Sequence, residues 1–323
     1  MISVVIPLYN KEKSIAQTLE CVLNQTYKDF EVIVVDDGSK DNSAAIVEAF
    51  NDERIRLVRQ KNGGVSAARN RGTAEARGEY VAFLDADDAW KQNHLESITN
   101  LIHQFPKSRA WATCYVNNLN GENHRIILNK LPFNGDTGLL TNYFEVCSCS
   151  HPPVWSSAVC VEKSLLQEIG GFPLGVTSGE DLLTWARIAI KTDWAYTKKA
   201  TAVYMMPATN SFTERPTRPN DEGDPVCDGL KLLLKTEYSR KHELRHFIGR
   251  FYKMKASTNL RYGDRWKTIC ECMKSLVYRP FAKETYPILL LALMPEFIQR
   301  RIFTIHSYDK VADIKDVKKL IGR

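Results

Sequence analysis

The first 105 residues alternate short apolar runs with longer stretches whose apolar residues recur at helical spacing. The apolar runs predict four strands, at Ser3–Tyr9, Val32–Val35, Arg54–Val58 and Tyr80–Leu84. The stretches between them predict helices at Lys11–Gln25 and Asp41–Phe50, a helix opening at Gly63-Gly64, and a fourth around Leu95–Phe105. Strands that alternate with helices are typical of a mostly parallel sheet with helices on both faces, so we expect an α/β fold.

The pattern is less regular beyond residue 110. Val154–Val161 resembles a strand, a short helix after it ends at Gly170-Gly171, and an amphipathic run follows Glu180. From residue 225 onward, apolar residues at helical spacing are interleaved with Lys and Arg. We therefore expect one α/β domain over residues 1–220, with two halves that meet near residue 110, followed by a helical region over residues 221–323.

Charge divides the chain in the same way. Residues 225–323 carry 21 Lys/Arg against 10 Asp/Glu, a net charge of +11, whereas the whole chain carries +6. The front part is therefore acidic, with a net charge of −5. Such a division indicates two units with different partners.

Several protein classes are disfavoured by composition. No apolar run reaches the roughly 18 residues of a spanning helix, and "MISVVIPLYN" lacks the basic region of a signal peptide, so we expect a cytoplasmic protein. The eight cysteines lack the partner spacing of a zinc site, which favours reduced and mostly buried thiols.

Acidic residues follow two of the predicted strands directly. Asp36-Asp37-Gly38-Ser39 ends the second strand, and Asp85, Asp87 and Asp88 end the fourth. Ligands of parallel sheets bind outside the carboxyl ends of the strands. Neither the dinucleotide motif nor the P-loop motif follows the first strand. An Asp-x-Asp suits Mg²⁺ or Mn²⁺ completed by substrate phosphates, so the pattern indicates chemistry on a diphosphate.

Six motifs, in order, give the chain a family resemblance. "VVIPLYN", "VVDDGSKD", "NGGVSAARNRG" and "AFLDADD" resemble the family 2 glycosyltransferases over about residues 1–120, and the resemblance resumes at "GGFP" and "SGEDLLTWAR". It implies a GT-A fold, a Rossmann-like sheet, and transfer of a sugar from a nucleotide donor with inversion at the anomeric carbon. Residues 1–110 would form the nucleotide-sugar half and residues 111–220 the acceptor half. The base of the nucleotide is taken as uracil on family frequency alone.

The resemblance implies a role for each donor-side residue. Asp37 would bind the base or ribose, Asp85 would reach ribose or sugar hydroxyls, and the remaining donor contacts would be Pro7, Tyr9, Asn62, Gly64, Arg69 and Ala86. Simpler readings stay open: Asp36 to Ser39 also fit a plain Asx turn with a helix cap, and Arg69 also fits a structural ion pair.

The metal and the base are likewise assigned through the resemblance. Asp87 would bind Mn²⁺ or Mg²⁺ through the donor diphosphate, and Asp88 would assist the metal or cap the next helix. Asp181 would take the proton from the acceptor hydroxyl, with Glu180 orienting or binding the acceptor. Acids in the first turn of a helix are also favoured by the helix dipole alone.

The acceptor is not readable from the sequence. Trp155 and Trp185 are candidates for stacking on an acceptor sugar, although each also fits a core position. We expect a glycan or lipid-linked acceptor in bacterial surface polysaccharide synthesis, and no nucleic acid. The basic C-terminal region, with "YPILLLALMP" and Arg300-Arg301, fits either a peripheral site on an anionic membrane or a solvated helical cap.

Two other functions remain open at this point. A sugar-phosphate nucleotidyltransferase also uses an acidic metal site, but it should carry a glycine-rich basic loop after the first strand, and "PLYNKEKS" matches that poorly. A non-catalytic nucleotide-sugar binder is disfavoured by the intact Asp-x-Asp and Glu-Asp pairs.

Overall fold

The computed structural model describes residues 1–206, 224–261 and 263–295. These residues form two compact units, one of residues 1–206 and 224–229, the other of residues 230–261 and 263–295. The domain boundary predicted at residue 220 and the Arg300-Arg301 pair lie outside the described residues.

The first unit is built on one ten-stranded sheet with the order β3-β2-β1-β4-β9-β6-β10-β5, in which β7 pairs with β6 and β8 with β10. The strands are β1 (Ile2–Leu8), β2 (Phe30–Asp36), β3 (Ile55–Arg59), β4 (Tyr80–Phe83), β5 (Ala89–Trp90), β6 (Ala110–Leu119), β7 (Glu122–Arg125), β8 (Thr137–Leu140), β9 (Val159–Glu162) and β10 (Trp194–Met205).

The described helices alternate with these strands and then continue as a helical region. They are α1 (Ile15–Leu23), α2 (Ser43–Glu48), α3 (Val65–Glu75), α4 (His94–Gln104), α5 (Tyr143–Cys149), α6 (Lys163–Glu168), α7 (Glu180–Ala189), α8 (Pro225–Leu233), α9 (Lys241–Arg261), α10 (Arg265–Tyr278) and α11 (Tyr286–Leu293). The order of elements confirms the predicted α/β class and the helical region after it.

Parallel pairing covers the part of the sheet that the sequence predicted. The strands β3, β2, β1 and β4 are parallel neighbours, and the apolar runs of β2, β1 and β4 form the core of this half. Beyond β4 the sheet is mixed, because β9 is antiparallel to both β4 and β6 while β10 is parallel to β6. The description as mostly parallel therefore fits the first half and not the second.

Helix α3 lies unusually close to β1. A β-carbon at position 72 would lie 2.3 Å from Cγ1 of Val5, closer than real β-carbons come to other atoms. Gly72 therefore permits the approach by having no side chain. The same helix carries Arg69, so this contact fixes where the guanidinium lies.

The predicted strand Val154–Val161 is wrong in its first half. Ser156–Ala158 form a single 3₁₀ turn, and strand β9 begins only at Val159. Both serine hydroxyls bind carboxylates instead of facing alternate sides of a sheet. Serine hydroxyls compete with regular backbone pairing in this way.

The second unit is helical, with Leu260, Leu291 and Ala292 at its core. Within the described ranges, no helix combines the length and apolar character needed to cross a bilayer. All eight cysteines are free thiols, and five of them are buried, as the sequence predicted.

Candidate active site

A cavity of about 730 Å³ opens beyond the carboxyl ends of β1, β2 and β4. Its walls bring together residues from five separated stretches of the chain. Ten of the predicted site residues line it: Pro7, Tyr9, Asp37, Asn62, Gly64, Arg69, Asp85, Ala86, Asp87 and Glu180. Asp88, Trp155, Asp181 and Trp185 are not among the lining residues.

Asp37 holds the glycine-containing loop in front of α3. Its carboxylate accepts hydrogen bonds from the backbone N–H groups of Gly63 and Gly64, at 2.9 and 2.8 Å, and from the Gln60 amide at 2.7 Å. Gly64 has a φ of +85°, which a residue with a side chain rarely adopts. Asp37 therefore shapes this wall of the cavity, and its contact with a nucleotide stays a prediction. The neighbouring Asp36 accepts the Ser39 N–H at 3.0 Å, as an Asx turn would.

Arg69 joins the two acidic stretches. Its guanidinium donates to Asp85 at 2.7 Å and to Glu180 at 3.1 Å, and it lies over the Phe172 ring. Burial alone would lower the pKa of Arg69, but Asp85, Glu180 and Asp181 together raise it above its ordinary value. The side chain is thus a permanent buried cation between the strand end and the start of α7.

Glu180 and Asp181 open helix α7 beside this cation. Burial and the adjacent Asp181 raise the pKa of Glu180, while Arg69 acts in the opposite direction. Burial likewise raises the pKa of Asp181, against Arg69 and the hydrogen bonds that it accepts. Those bonds come from the Leu182 N–H at 2.7 Å and the Ser156 hydroxyl at 3.3 Å. A carboxyl with a raised pKa is suited to proton transfer.

Asp87 is the half-exposed carboxylate of the Asp-x-Asp, and it pairs with the ammonium of Lys11. Both side chains face the cavity. The described residues contain no cluster of three or more His, Cys, Asp or Glu able to enclose a metal by themselves. An accessible carboxylate that is already paired with a cation still fits Mg²⁺ or Mn²⁺, since these ions need one or two carboxylates when phosphates and water complete the shell.

The structure corrects the metal assignment of Asp88. Its side chain is 2% exposed, and it accepts hydrogen bonds from the Ser157 hydroxyl, the Met205 N–H and the Trp155 indole. Burial, followed by Asp85, raises the pKa of Asp88 to about 7. Asp88 therefore anchors the strand end to neighbouring segments. It does not cap α4 either, because that helix begins after Asn93.

The structure distinguishes the two tryptophans that were predicted to stack on an acceptor sugar. Trp185 is 1% exposed and packs edge-to-face against Phe172 and Trp194, so it belongs to the core and cannot stack on a sugar. Trp155 is half-buried, its indole donates to Asp88, and its ring lies 4.6 Å from that of Tyr204. The acceptor role of Trp155 stays a prediction, and that of Trp185 is wrong.

Several residues that shape this region were missed by sequence reasoning. Lys11 pairs with Asp87, and Asn70 binds both backbone groups of Phe172 at 2.8 Å, tying α3 to the "GGFP" turn. Ser157 accepts the Asp85 N–H at 3.0 Å and donates to Asp88. Asn70 stands inside the motif "NGGVSAARNRG" and Lys11 directly follows "VVIPLYN", which was the available signal; Ser157 lies in no recognised motif.

Comparison with known proteins agrees with this geometry. Residues 3–152 match the model of the family described as Glycosyl transferase family 2. Glycosyltransferase GlyG of Streptococcus pneumoniae is 43% identical over 107 residues, 32% of this chain and 36% of that protein. The Escherichia coli UDP-Glc:alpha-D-GlcNAc-diphosphoundecaprenol beta-1,3-glucosyltransferase WfgD is 34% identical over 148 residues, 44% of this chain and 58% of that protein. The chain thus spans less than two thirds of either relative.

Solved structures extend the likeness over almost the whole chain. Staphylococcus aureus TarS 1–349, in complex with UDP-GlcNAc, superposes with a TM-score of 0.67 at 18% identity, covering 95% of this chain and 93% of that one. The mannosyltransferase PcManGT of Pyrobaculum calidifontis, in complex with GDP-Man and Mn²⁺, gives a TM-score of 0.58 at 19% identity, covering 94% and 83%. At these identities the likeness shows the fold alone.

Proposed function

We propose that this chain, whose residues 3–152 match the Glycosyl transferase family 2 model and whose fold resembles that of TarS, moves a sugar from a nucleotide-diphosphate donor to a glycan or lipid-linked glycan acceptor, with inversion. The observation that carries the proposal is the cavity in which strand-end carboxylates and the start of α7 meet around Arg69. Its volume lies within the roughly 300–1,000 Å³ typical of small-molecule sites.

The donor would occupy the wall formed by β1, β2 and α3. Tyr9 is 43% exposed on this wall, which leaves its ring accessible to a nucleotide base. The loop of Asn62, Gly63 and Gly64 leads into the start of α3, and the N-terminus of a helix favours phosphate. The names of WfgD and of the TarS complex favour a UDP-sugar, and that of PcManGT keeps GDP-mannose as the alternative.

Asp87 would hold the divalent cation together with the donor diphosphate. When bound, the cation would stabilise the negative charge that develops on the leaving nucleotide. Lys11 has to leave Asp87 for this, because an ammonium and a metal ion compete for the same carboxylate oxygens. Asp85, oriented by Arg69, would bind ribose or sugar hydroxyls.

Asp181 would accept the proton of the attacking hydroxyl. Its raised pKa, caused by burial, makes the carboxylate a stronger base than an exposed aspartate. Glu180 is fixed by Arg69 and is suited to orient the acceptor. Trp155, which lies beside Ser156, would supply an aromatic face for the acceptor sugar.

Anionic membrane is the partner that we propose for the second unit. Residues 230–295 contain 14 Lys/Arg against 5 Asp/Glu. Along α10, Trp266, Cys270, Met273 and Val277 recur at helical spacing, and all four are exposed. Trp266 is 79% exposed, and Phe281 just beyond the helix is 91% exposed. An exposed apolar stripe in basic surroundings is the pattern of an interfacial helix. The acceptor of the proposed sugar transfer would then be lipid-linked, as the name of WfgD describes for that protein.

The proposal is tested by incubating the full chain with Mn²⁺ and radiolabelled UDP-glucose, UDP-N-acetylglucosamine or GDP-mannose. Release of the nucleoside diphosphate, even slowly with water as acceptor, is the expected result. Exchange of labelled pyrophosphate into the donor would indicate a nucleotidyltransferase instead, and binding without turnover would indicate a non-catalytic binder.

A further inference from the structure

Two consecutive serines link the two acidic stretches of the cavity by a second route. Ser156 and Ser157 both lie in the 3₁₀ turn before β9, and both are at most 2% exposed. The Ser157 hydroxyl accepts the Asp85 N–H at 3.0 Å and donates to the Asp88 carboxylate. It therefore binds both ends of the Asp85–Asp88 turn.

The neighbouring serine binds the other acidic stretch. The Ser156 hydroxyl donates to Oδ2 of Asp181 at 3.3 Å, while Oδ1 of Asp181 accepts the Leu182 N–H at 2.7 Å. The two carboxylate oxygens of Asp181 thus accept from two different elements, one from the 3₁₀ turn and the other from α7. Rotation of the carboxylate would break at least one of these bonds.

We propose that Ser156 and Ser157 form a positioning pair that sets the Asp181 carboxylate against the strand end at Asp85. The inference rests on the proposed function and identifies what orients its base. Both serine hydroxyls donate to carboxylates, so both act through those carboxylates rather than on a substrate.

Positioning of Asp181 matters because proton transfer tolerates little change in distance. A base must lie within hydrogen-bond reach of the proton that it takes, and a misplacement of about 1 Å costs roughly 100-fold in rate. Because the two serines are adjacent in one tight turn, the backbone fixes the separation of their hydroxyls. The separation of Asp181 from the Asp85–Asp88 turn is fixed with it.

Other groups also act on Asp181. Arg69 lowers its pKa and Asp85 raises it, Glu180 is its neighbour in α7, and Tyr115 and Tyr143 are close enough to interact with its charge. The Ser156 hydroxyl stabilises the ionised carboxylate, so its removal should raise the pKa of Asp181 further. The acid limb of a kcat–pH profile should therefore move to higher pH.

The test compares Ser156→Ala with Ser108→Ala in the full chain. Ser108 is 7% exposed and its hydroxyl lies 2.8 Å from two backbone carbonyl oxygens, so its variant also loses buried hydrogen bonding, but Ser108 does not line the cavity. We measure release of UDP from UDP-glucose and UDP-N-acetylglucosamine, and of GDP from GDP-mannose, across pH. For Ser156→Ala, kcat should fall roughly 10-fold, the scale of one hydrogen bond to a charged group, with an unchanged donor KM and a shifted acid limb.

A second variant separates the two serines. Ser157→Ala should raise the donor KM, because Ser157 orients the turn that carries Asp85. Ser156→Ala with wild-type kcat and wild-type pH profile would overturn the inference, as would the same profile shift in Ser108→Ala. If the wild-type chain releases no nucleoside diphosphate from any of the three donors, the proposed function fails and the positioning pair falls with it. If the wild-type chain turns over a donor and Ser156→Ala behaves like the wild type, the inference fails and the proposed function stands.

Discussion

Arg69 and Glu180 lie 111 residues apart in sequence and share a hydrogen bond of 3.1 Å. The same guanidinium binds Asp85 at 2.7 Å, so one buried side chain ties the donor side of the cavity to the start of α7. A planar guanidinium can bind two carboxylates at once, whereas an ammonium is a single point of charge. The first prediction follows from this difference.

Arg69→Lys should keep the fold but lower kcat by about 10-fold or more, because an ammonium on a flexible stem lacks the rigid planar fork that holds Asp85 and Glu180 at fixed positions. Arg69→Met should destabilise the protein by about 3–5 kcal/mol, since it leaves buried carboxylates without their cation. Steady-state kinetics and thermal unfolding measure the two effects. Arg71→Lys is the matched control, because Arg71 is half-exposed and pairs with Glu75 within the same helix. Equal effects at positions 69 and 71 would contradict the bridging role.

Asp87→Asn should nearly abolish turnover and weaken binding of the donor in Mn²⁺, while leaving the melting temperature close to that of wild type. The amide loses the charge that a hard divalent cation prefers, and the side chain is too exposed to contribute much to folding. Calorimetric titration of UDP with and without Mn²⁺ measures the effect. A variant that kept most of its activity with the same metal dependence would remove Asp87 from the metal site.

Lys11→Met should lower the concentration of Mn²⁺ needed for half-maximal activity by about two- to five-fold, the scale of one exposed ion pair. The ammonium would no longer compete for the carboxylate of Asp87. Lys13→Met, two residues further along, is the control. A rise in the required Mn²⁺ would show instead that Lys11 binds the donor phosphates.

Asp181→Asn should lower kcat by about 10²–10⁴-fold, as expected for a lost general base, with little change in donor affinity. The wild-type enzyme should lose activity as the pH falls through the pKa of Asp181, which burial raises above the ordinary value. That acid limb should be absent from the residual activity of the variant. Donor affinity that collapsed together with kcat would place Asp181 in the donor pocket.

The same substitution has an expected sign for stability. A carboxyl whose pKa is raised in the folded state contributes most stability below the unfolded pKa, and that contribution is lost as the pH rises through the folded pKa. Ionised Asp181 is thus a cost to the fold at neutral pH. Asp181→Asn should be at least as stable as wild type at pH 7.5, and a large drop in melting temperature would contradict the raised pKa.

The full chain should sediment with vesicles that contain anionic phosphatidylglycerol, and high salt should release only part of it. Replacing both Trp266 and Phe281 with Ser should weaken the salt-resistant part at least about 10-fold, because two exposed aromatic rings no longer enter the interface. Ile127→Ser, which removes an exposed apolar side chain from the first unit, is the control. Failure of the wild-type chain to sediment at low salt would make the stripe on α10 a surface for another partner.

The sequence predicts the donor half of the fold well because its signals are local. Each of β1, β2 and β4 is a short apolar run soon followed by polar residues, and helices α1 and α4 show clear periodicity. The second half depends on pairing between distant strands, such as β6 with β10, which no local pattern announces. Trp185 illustrates the same limit: a tryptophan one turn after Asp181 looks identical whether it faces a cavity or the core.

Side-chain partners are the other part that sequence could not supply. Ser156 and Ser157 sit in an apolar run that reads as a strand, and only their contacts with Asp181 and Asp88 reveal a turn. The membership of Asp85, Asp87 and Glu180 in one site was predicted from motif order. The binding of both Asp85 and Glu180 by Arg69 became visible only in the structure.

The contact between Gly72 and Val5 links the histories of two positions. A side chain at 72 needs the space that Val5 occupies, so it becomes tolerable only in a chain that already has a smaller residue at position 5. Substitutions at positions 5 and 72 must therefore be correlated, and the substitution at position 5 in β1 has to come first. Descendants that took the opposite order would displace the helix that carries Arg69 and would be lost without any change in a residue that touches the substrate.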